Sequence, residues 1–268
     1  MSKGIEEFEN FWRRLDLSSR APYIHPEDAG RLSPEDYPAF QFQVVPIPVL
    51  GNLRSAEAVI LMLNAGYGDN DEAWAKAHPR EHALMTEAQM ANIRQQHSPA
   101  DYPFYDFNPA FQTHPGVAYW KGGAELAVKQ RQMAKLRSVA HELQARWGLP
   151  LEQAHKVLAH KVAVLQWCPY RSRDFKRSGG LAALPSVRAA LHLVRALVEE
   201  NEKLVIVTRH VEAWGYEGSA DSKGNLVVYD RKQGTSASLT LNSTGGKALL
   251  ARLLRVGQTR KYVTPLQS

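Results

Sequence analysis

The chain has 268 residues, with 33 Lys and Arg against 27 Asp and Glu, a formal net charge of +6. Hydrophobic residues at 44% and charged residues at 22% are the proportions of a folded globular chain and exclude a disordered one. The lone Cys168 excludes a disulfide framework, a cysteine zinc site and an iron–sulfur cluster, and no apolar run reaches the roughly 18 residues of a membrane span.

No repeat, low-complexity tract or Gly/Ser linker divides the chain. It reads as one domain over 1–268, with 1–53 an N-terminal helix and covering segment. The opening MSKGIEEFENFWRRLDL lacks the apolar centre of a signal peptide, so a soluble cytoplasmic protein is expected. Ile5, Phe8, Phe11, Trp12 and Leu15 predict an amphipathic helix over 4–16. Residues 18–53, rich in Pro, Asp, Ser and Gly, read as irregular. AEAVILMLN (56–64) is a short apolar run that suits a parallel strand buried on both faces, ending at the turn Ala65-Gly66-Tyr67-Gly68. Residues 69–118 read as polar and aromatic loop.

A long helix is expected over 123–147, where Leu126, Met133, Leu136, Val139 and Leu143 recur at threes and fours until Gly148-Leu149-Pro150 stops it. A short helix follows over Glu152–His160, then a strand over VAVLQW (162–167) and a basic turn-rich stretch, CPYRSRDFKRSGG. Residues 185–200 predict another helix, KLVIVT (203–208) a third strand and LVVYD (226–230) a fourth. SASLTLN (236–242) is a short strand or an extended loop. A closing helix starts after Gly245-Gly246. Strands alternating with helices indicate an α/β three-layer sandwich around a mainly parallel four-stranded sheet. Ligands of such sheets bind at the carboxyl ends of the strands, which directs attention to the segments after Asn64, Trp167, Thr208 and Asp230.

After the first strand, Asn64 would project its amide into a crevice and Gly66 would let a ligand approach the backbone; the plain alternative is a tight turn. Asp69, Asp71 and Glu72 lack the spacing of a calcium loop and read as a solvated acidic turn. After the second strand, Arg171, Ser172, Arg173, Lys176 and Arg177 interleave with aromatics, which suits phosphate contacts beside a stacking surface. Arg209, His210 and Trp214 follow the third strand; a lone His is more often structural than catalytic. Gly245-Gly246 before a helix could bind phosphate, but Leu241 and Ala248 break the P-loop pattern. His78 and His82 lack the Glu of a zinc-protease motif, and Pro79 argues against a helix there. Nothing requires a metal or a cofactor.

Four stretches together resemble the uracil-DNA glycosylase superfamily: PIPVLGNLRSAEAVILMLNAGYG (46–68), FYDFNPAFQTHPGVAYW (104–120), LQWCPYRSRDF (165–175) and IVTRHVEAW (206–214). The resemblance implies an α/β/α fold that flips a nucleotide out of DNA and hydrolyses its N-glycosidic bond, the lost stacking being offset by a pocket and phosphate contacts. It places Asn64 as the residue that positions water, with Asp69 or Asp71 as helpers. It places Gly66 where uracil-specific members carry a Tyr that excludes 5-substituents, and Gln166 where many carry an Asn that reads the base edge. Ala65 stands for the usual Pro, and Tyr67 follows the same turn. Phe107 or Phe111 would stack on the base. The closing His-Pro-Ser motif is not recognisable; Asn242 and Ser243 lie in its place, with His210 as a fallback. Arg171, Ser172, Arg173, Lys176, Arg177 and Arg209 would meet DNA.

The resulting expectation is a monomeric DNA glycosylase acting on a 5-substituted pyrimidine. It is closer to bacterial defence enzymes against hypermodified phage cytosine, such as glucosylated hydroxymethylcytosine, than to a housekeeping uracil enzyme. A uracil or thymine-mismatch glycosylase, a non-catalytic module for DNA or a modified nucleotide, and a hydrolase of free nucleosides or sugars are the alternatives.

Overall fold

The computed structural model describes residues 2–18, 20–122 and 134–259. Its sheet has five strands: β1 Val49–Leu50, β2 Ala58–Gly66, β3 Val162–Ser172, β4 Leu204–Val207 and β5 Leu226–Val228. They lie in the order β1-β3-β2-β4-β5. β2 is parallel to both β3 and β4, β4 is parallel to β5, and only the two-residue β1 runs antiparallel, against β3. The expected four parallel strands are therefore joined by a fifth, too short to leave a periodic signature in the sequence.

The near-continuous apolar runs of the central strands have the physical cause anticipated for them: both faces are covered. Val59, Leu61, Ala163, Leu165, Val205 and Val207 point into one core with helix α1 (Lys3–Trp12) and the long helix Pro185–Glu200. Ala58, Ile60, Val162, Val164 and Ile206 point into the other. Helix α1 starts where the Ser2 hydroxyl accepts the Ile5 N–H at 3.3 Å, and its Ile5, Phe8, Phe11 and Trp12 are buried. Full burial of each such side chain is worth about 2–3 kcal/mol.

The largest departures from the sequence reading fall in 69–118. That stretch contains helices α2 (Asp69–Ala77), α3 (Pro79–Arg94) and α4 (Pro115–Trp120), with two 3₁₀ turns at Tyr105–Phe107 and Pro109–Phe111. Pro79 does not oppose a helix there; it occupies the first turn of α3, where a missing N–H costs nothing. The helix expected over 123–147 is described as α5, Arg137–Trp147, while Leu126 and Met133 lie outside the described residues. Then come α6 (Leu151–Lys161), the short α7 (Gly179–Ala182) and α8 (Pro185–Glu200). Residues 231–236 form α9, capped by Asp230, whose carboxylate accepts the Gln233 N–H at 2.7 Å. α10 spans Thr244–Thr259. Residues 236–242 form no strand.

The covering segment has a specific task. Its residues 39–50 run along the outer edge of β3: Ile47 N–H donates to the Pro169 carbonyl at 2.8 Å, Gln41 N–H to that of Arg171 at 2.9 Å, and Arg173 N–H to that of Ala39 at 3.0 Å. This cover explains why every residue of β3 is buried, and why Cys168–Ser172, expected as an open basic turn, continue the strand.

Candidate active site

The chain leaves β2 towards the α2–α6 face and leaves β4 towards the α1–α8 face, so the crevice between their carboxyl ends is the topological switch point of the sheet. Asn64, Ala65 and Gly66 stand on one side of it, and Thr208, Arg209 and His210 on the other. Thr208 ties the two strands together, its hydroxyl donating to the Leu61 carbonyl at 3.0 Å. Gly66 is exposed, and a Cβ built on it would meet nothing within 4 Å.

Beside this mouth β3 bulges. Two steps along β2, from Asn64 to Gly66, are matched by four along β3, from Cys168 to Ser172. A bulge leaves backbone groups without ladder partners, and Asn64 supplies them. Its amide donates to the Tyr170 carbonyl and, at 3.3 Å, to that of Cys168, while its own oxygen accepts the Ser172 hydroxyl at 2.8 Å. The half-buried Asn64 therefore clasps β2 to the bulge with both amide hydrogens spent, and only its oxygen retains acceptor capacity.

Arg171, in the same bulge, is buried and turns back to the mouth. Its Nε and Nη2 donate to the Gly66 carbonyl at 3.1 and 2.8 Å, and its guanidinium lies 4.6 Å above the Tyr67 ring. Burial raises the Tyr67 phenol pKa, and Arg171 partly opposes this. Arg171 Nη2 also meets Asp71 Oδ1 at 3.3 Å. Asp71, in the first turn of α2, accepts the Gly68 N–H on its Oδ2 at 2.9 Å.

Behind Asp71 stand two residues that the sequence reading did not single out. His114 Nε2 lies 3.7 Å from Asp71 Oδ1, and His114 Nδ1 lies 3.6 Å from Asp106 Oδ1. His114 is buried against the edge of Trp74, with ring centroids 4.8 Å apart. Asp106 is only 4% exposed, and its Oδ1 has no hydrogen-bond donor. The available signal was Thr-His-Pro-Gly, a polar cap before a proline at the first position of α4.

The other expected site residues are scattered. Asp69 pairs with Arg173 at 2.8 Å and Glu72 with the same Arg173 at 2.5 Å, so the acidic turn and the basic stretch neutralise each other at the surface. Arg177 pairs with Glu212 at 3.3 Å and Lys176 with Asp174 at 3.4 Å. Arg209 donates to the Gly234 and Thr235 carbonyls at 3.2 and 3.0 Å, tying down α9. Of the six expected DNA contacts, Ser172 and Arg171 are buried in the bulge. Phe107 and Phe111 are 1% and 2% exposed within the second core, so neither offers a face to a base. Gln166 is buried on the same side of the sheet as Asn64, and its Oε1 has no donor.

His210 is exposed with φ 49°, and its Nδ1 lies 3.7 Å from Glu212. Asn242 is exposed. Ser243 caps α10, accepting the Gly246 N–H at 3.1 Å and donating to the Thr240 carbonyl at 2.8 Å. Gly246 is a packing glycine: a Cβ there would stand 2.0 Å from that carbonyl oxygen.

A cavity of about 560 Å³ lies between α5 and residues 240–241, lined by Arg137, Ser138, His141 and Leu241. A second, of about 400 Å³, lies beside Trp167, Arg177 and Glu212. Neither is lined by Asn64, Gly66 or Asp71. Among the described residues, no group of three or more His, Cys, Asp and Glu is placed to hold a metal, and no helix is long and apolar enough to cross a membrane. No protein-family model, curated protein or solved structure matches the chain.

Proposed function

We propose that this chain is a monomeric, cytoplasmic DNA glycosylase that hydrolyses the N-glycosidic bond of a flipped-out 5-substituted pyrimidine, with hypermodified phage cytosine as the substrate class. The resemblance of its four stretches to the uracil-DNA glycosylase superfamily motivates the reading. One observation carries it: at the carboxyl end of the central parallel strand, Gly66 is bare and exposed beside Asn64, with open space where a larger side chain would stand. A substituent at the pyrimidine 5-position needs that kind of room.

Hydrolysis adds water across the bond. The water oxygen bonds to C1′, the bonding pair leaves with the base, and the water proton is taken up by a basic group and ends on the departing base. Asn64 contributes the free acceptor capacity of its oxygen, held in place by Ser172, and Asp71 is the carboxylate that Arg171 links to the Gly66 carbonyl. The decisive assay incubates the protein with plain, uracil-containing and phage-modified DNA and cleaves abasic sites with alkali. Strand breaks are expected on the hypermodified DNA; breaks on uracil DNA alone would overturn the substrate class.

A second reading has its own support. Both amide hydrogens of Asn64 serve the bulge, and the exposed arginines of the basic stretch are paired with acids. A module that recognises a modified nucleotide without cutting would need no more. Shifted DNA mobility with no abasic site on any substrate would select it.

A further inference from the structure

The two nitrogens of His114 are in different situations. Nδ1 accepts the Gly116 N–H at 3.0 Å, which leaves the ring proton of a neutral imidazole on Nε2, facing Asp71. Asp106 Oδ1 faces the occupied Nδ1 at 3.6 Å and finds no donor. A buried carboxylate oxygen without a donor is costly to keep unless it serves a purpose. Glycine at 116 is required by the arrangement, because a Cβ would stand 2.6 Å from that oxygen and 3.0 Å from His114 Nδ1. The loop is therefore built to bring Asp106, His114 and Asp71 into one line that ends at the mouth.

We infer that Asp71 is the base that takes the proton of the attacking water, and that His114, backed by Asp106, is the positioning residue that aims it. The inference rests on the glycosylase reading and deepens it. In the step, a water O–H bond breaks and its proton goes to the Asp71 carboxylate, while the water oxygen bonds to C1′ and the C1′–N pair leaves with the base. The proton then passes to the base on release, so Asp71 is regenerated. The Nε2–H of His114 and the guanidinium of Arg171 converge on Asp71 Oδ1, and the Gly68 N–H holds Oδ2. At 3.7 Å the Nε2–H of the neutral ring stands just beyond hydrogen-bond length of Asp71 Oδ1 and orients that carboxylate as a dipole.

The titratable and charged groups around this line are Asp71 from α2, Asp106 and Tyr105 from the 3₁₀ turn, Arg171 from β3 and His82 from α3. Burial pushes the Tyr105 phenol upwards and the His82 imidazole downwards, with Arg171 and His114 adding to the latter. Both shifts move these two groups away from a charge near pH 7.

The test combines kinetics with nitrogen NMR of the folded, full-length protein. On the DNA that yields abasic sites, Asp71→Asn should lower kcat on the order of 10²–10⁴-fold at nearly unchanged KM. His114→Ala should lower kcat on the order of 10-fold or more and change the acid limb of the pH–rate profile, with partial rescue by added imidazole. ¹⁵N shifts should place the wild-type ring proton on Nε2. Folded Asp71→Asn or His114→Ala protein that keeps kcat within about threefold, or a ring proton on Nδ1, overturns the inference and leaves the glycosylase reading standing. Wild-type protein that releases no base from any DNA overturns that reading and the base role assigned to Asp71 with it, whatever the NMR shows.

Discussion

Tyr170 and Arg171 are neighbours in one bulge, yet they serve two polar networks of opposite character on the two faces of the sheet. On the α1 side, the Tyr170 hydroxyl donates to Asp28 Oδ2 at 2.5 Å and accepts the His25 N–H at 3.1 Å, and Asp28 Oδ1 accepts the Ser186 N–H at 3.1 Å. His25 is stacked on Phe11 at 3.9 Å, with Nε2 donating to the Phe11 carbonyl at 2.9 Å and Nδ1 accepting the Glu27 N–H at 3.2 Å. Burial lowers its pKa, in keeping with a neutral ring whose two nitrogens are both satisfied. On the α2 side, His114 has the same local frame, an N–H from two residues ahead on Nδ1, but its far nitrogen meets a carboxylate at 3.7 Å and Asp106 is left without a donor. The comparison teaches how to separate a fastening from a working part: in the first network Asp28, the Tyr170 hydroxyl and both His25 nitrogens are paired, while the second leaves Asp106 Oδ1 without a donor and lies at the strand ends.

Substitutions can break that contrast. The largest effect should come from Asp28→Ala, which strands the Tyr170 hydroxyl and the Ser186 N–H. A loss of about 3–5 kcal/mol, or roughly 10 °C in Tm, is expected by thermal denaturation. A fall of under about 3 °C would show that the closed network is not a fastening.

Acid should act next through the buried histidines. Desolvation lowers the pKa of His155 to about 4, with Lys121 and His141 adding to the effect. Its folded pKa lies below the unfolded value near 6.5, so the unfolded chain binds the extra proton first. Stability is intact above pH 6.5 and falls as pH drops from there to 4, by up to roughly 3 kcal/mol. Urea midpoints measured at pH 7, 5.5 and 4.5 should fall steadily in the wild type and less steeply in His155→Gln.

Gly116→Ala comes third. The added methyl must displace Asp106 or His114, at a cost of about 1–3 kcal/mol, and calorimetry together with the kcat assay would show both consequences. The smallest change in stability is expected for Asp106→Asn, whose Oδ1 has no donor to lose. A Tm within about 3 °C of wild type, with an altered pH–rate profile, would set this network apart from the one around Asp28.

Much of the scaffold was legible. Helix Pro185–Glu200 matches the apolar spacing and its flanking proline, and β2 follows from an apolar run too short for a helix. The mouth was legible for the same reason, since a buried strand must end somewhere polar and Asn64-Ala65-Gly66 is that end. What the sequence concealed was pairing across distance. Arg173 reads as a phosphate contact until Asp69 and Glu72 are folded against it, and Arg171 reads as exposed until the bulge turns it inward. Residues 69–94 were hidden by composition: α2 and α3 bury few of their side chains, so they carry little apolar periodicity. His114 and Asp106 lie in an aromatic-rich loop whose course is set by 3₁₀ turns, which leave no repeat to read.

The ribbon of residues 39–50 along β3 sets an order of assembly. It leaves the ribosome early, but the strand it must shield is made long afterwards, so the nascent chain carries an unattached flap until its partner arrives. Until that flap lands, the flank of β3 is a template for any other extended chain. Replacing residues 39–48 by a Gly/Ser linker should therefore yield a protein that clumps before it loses its helices.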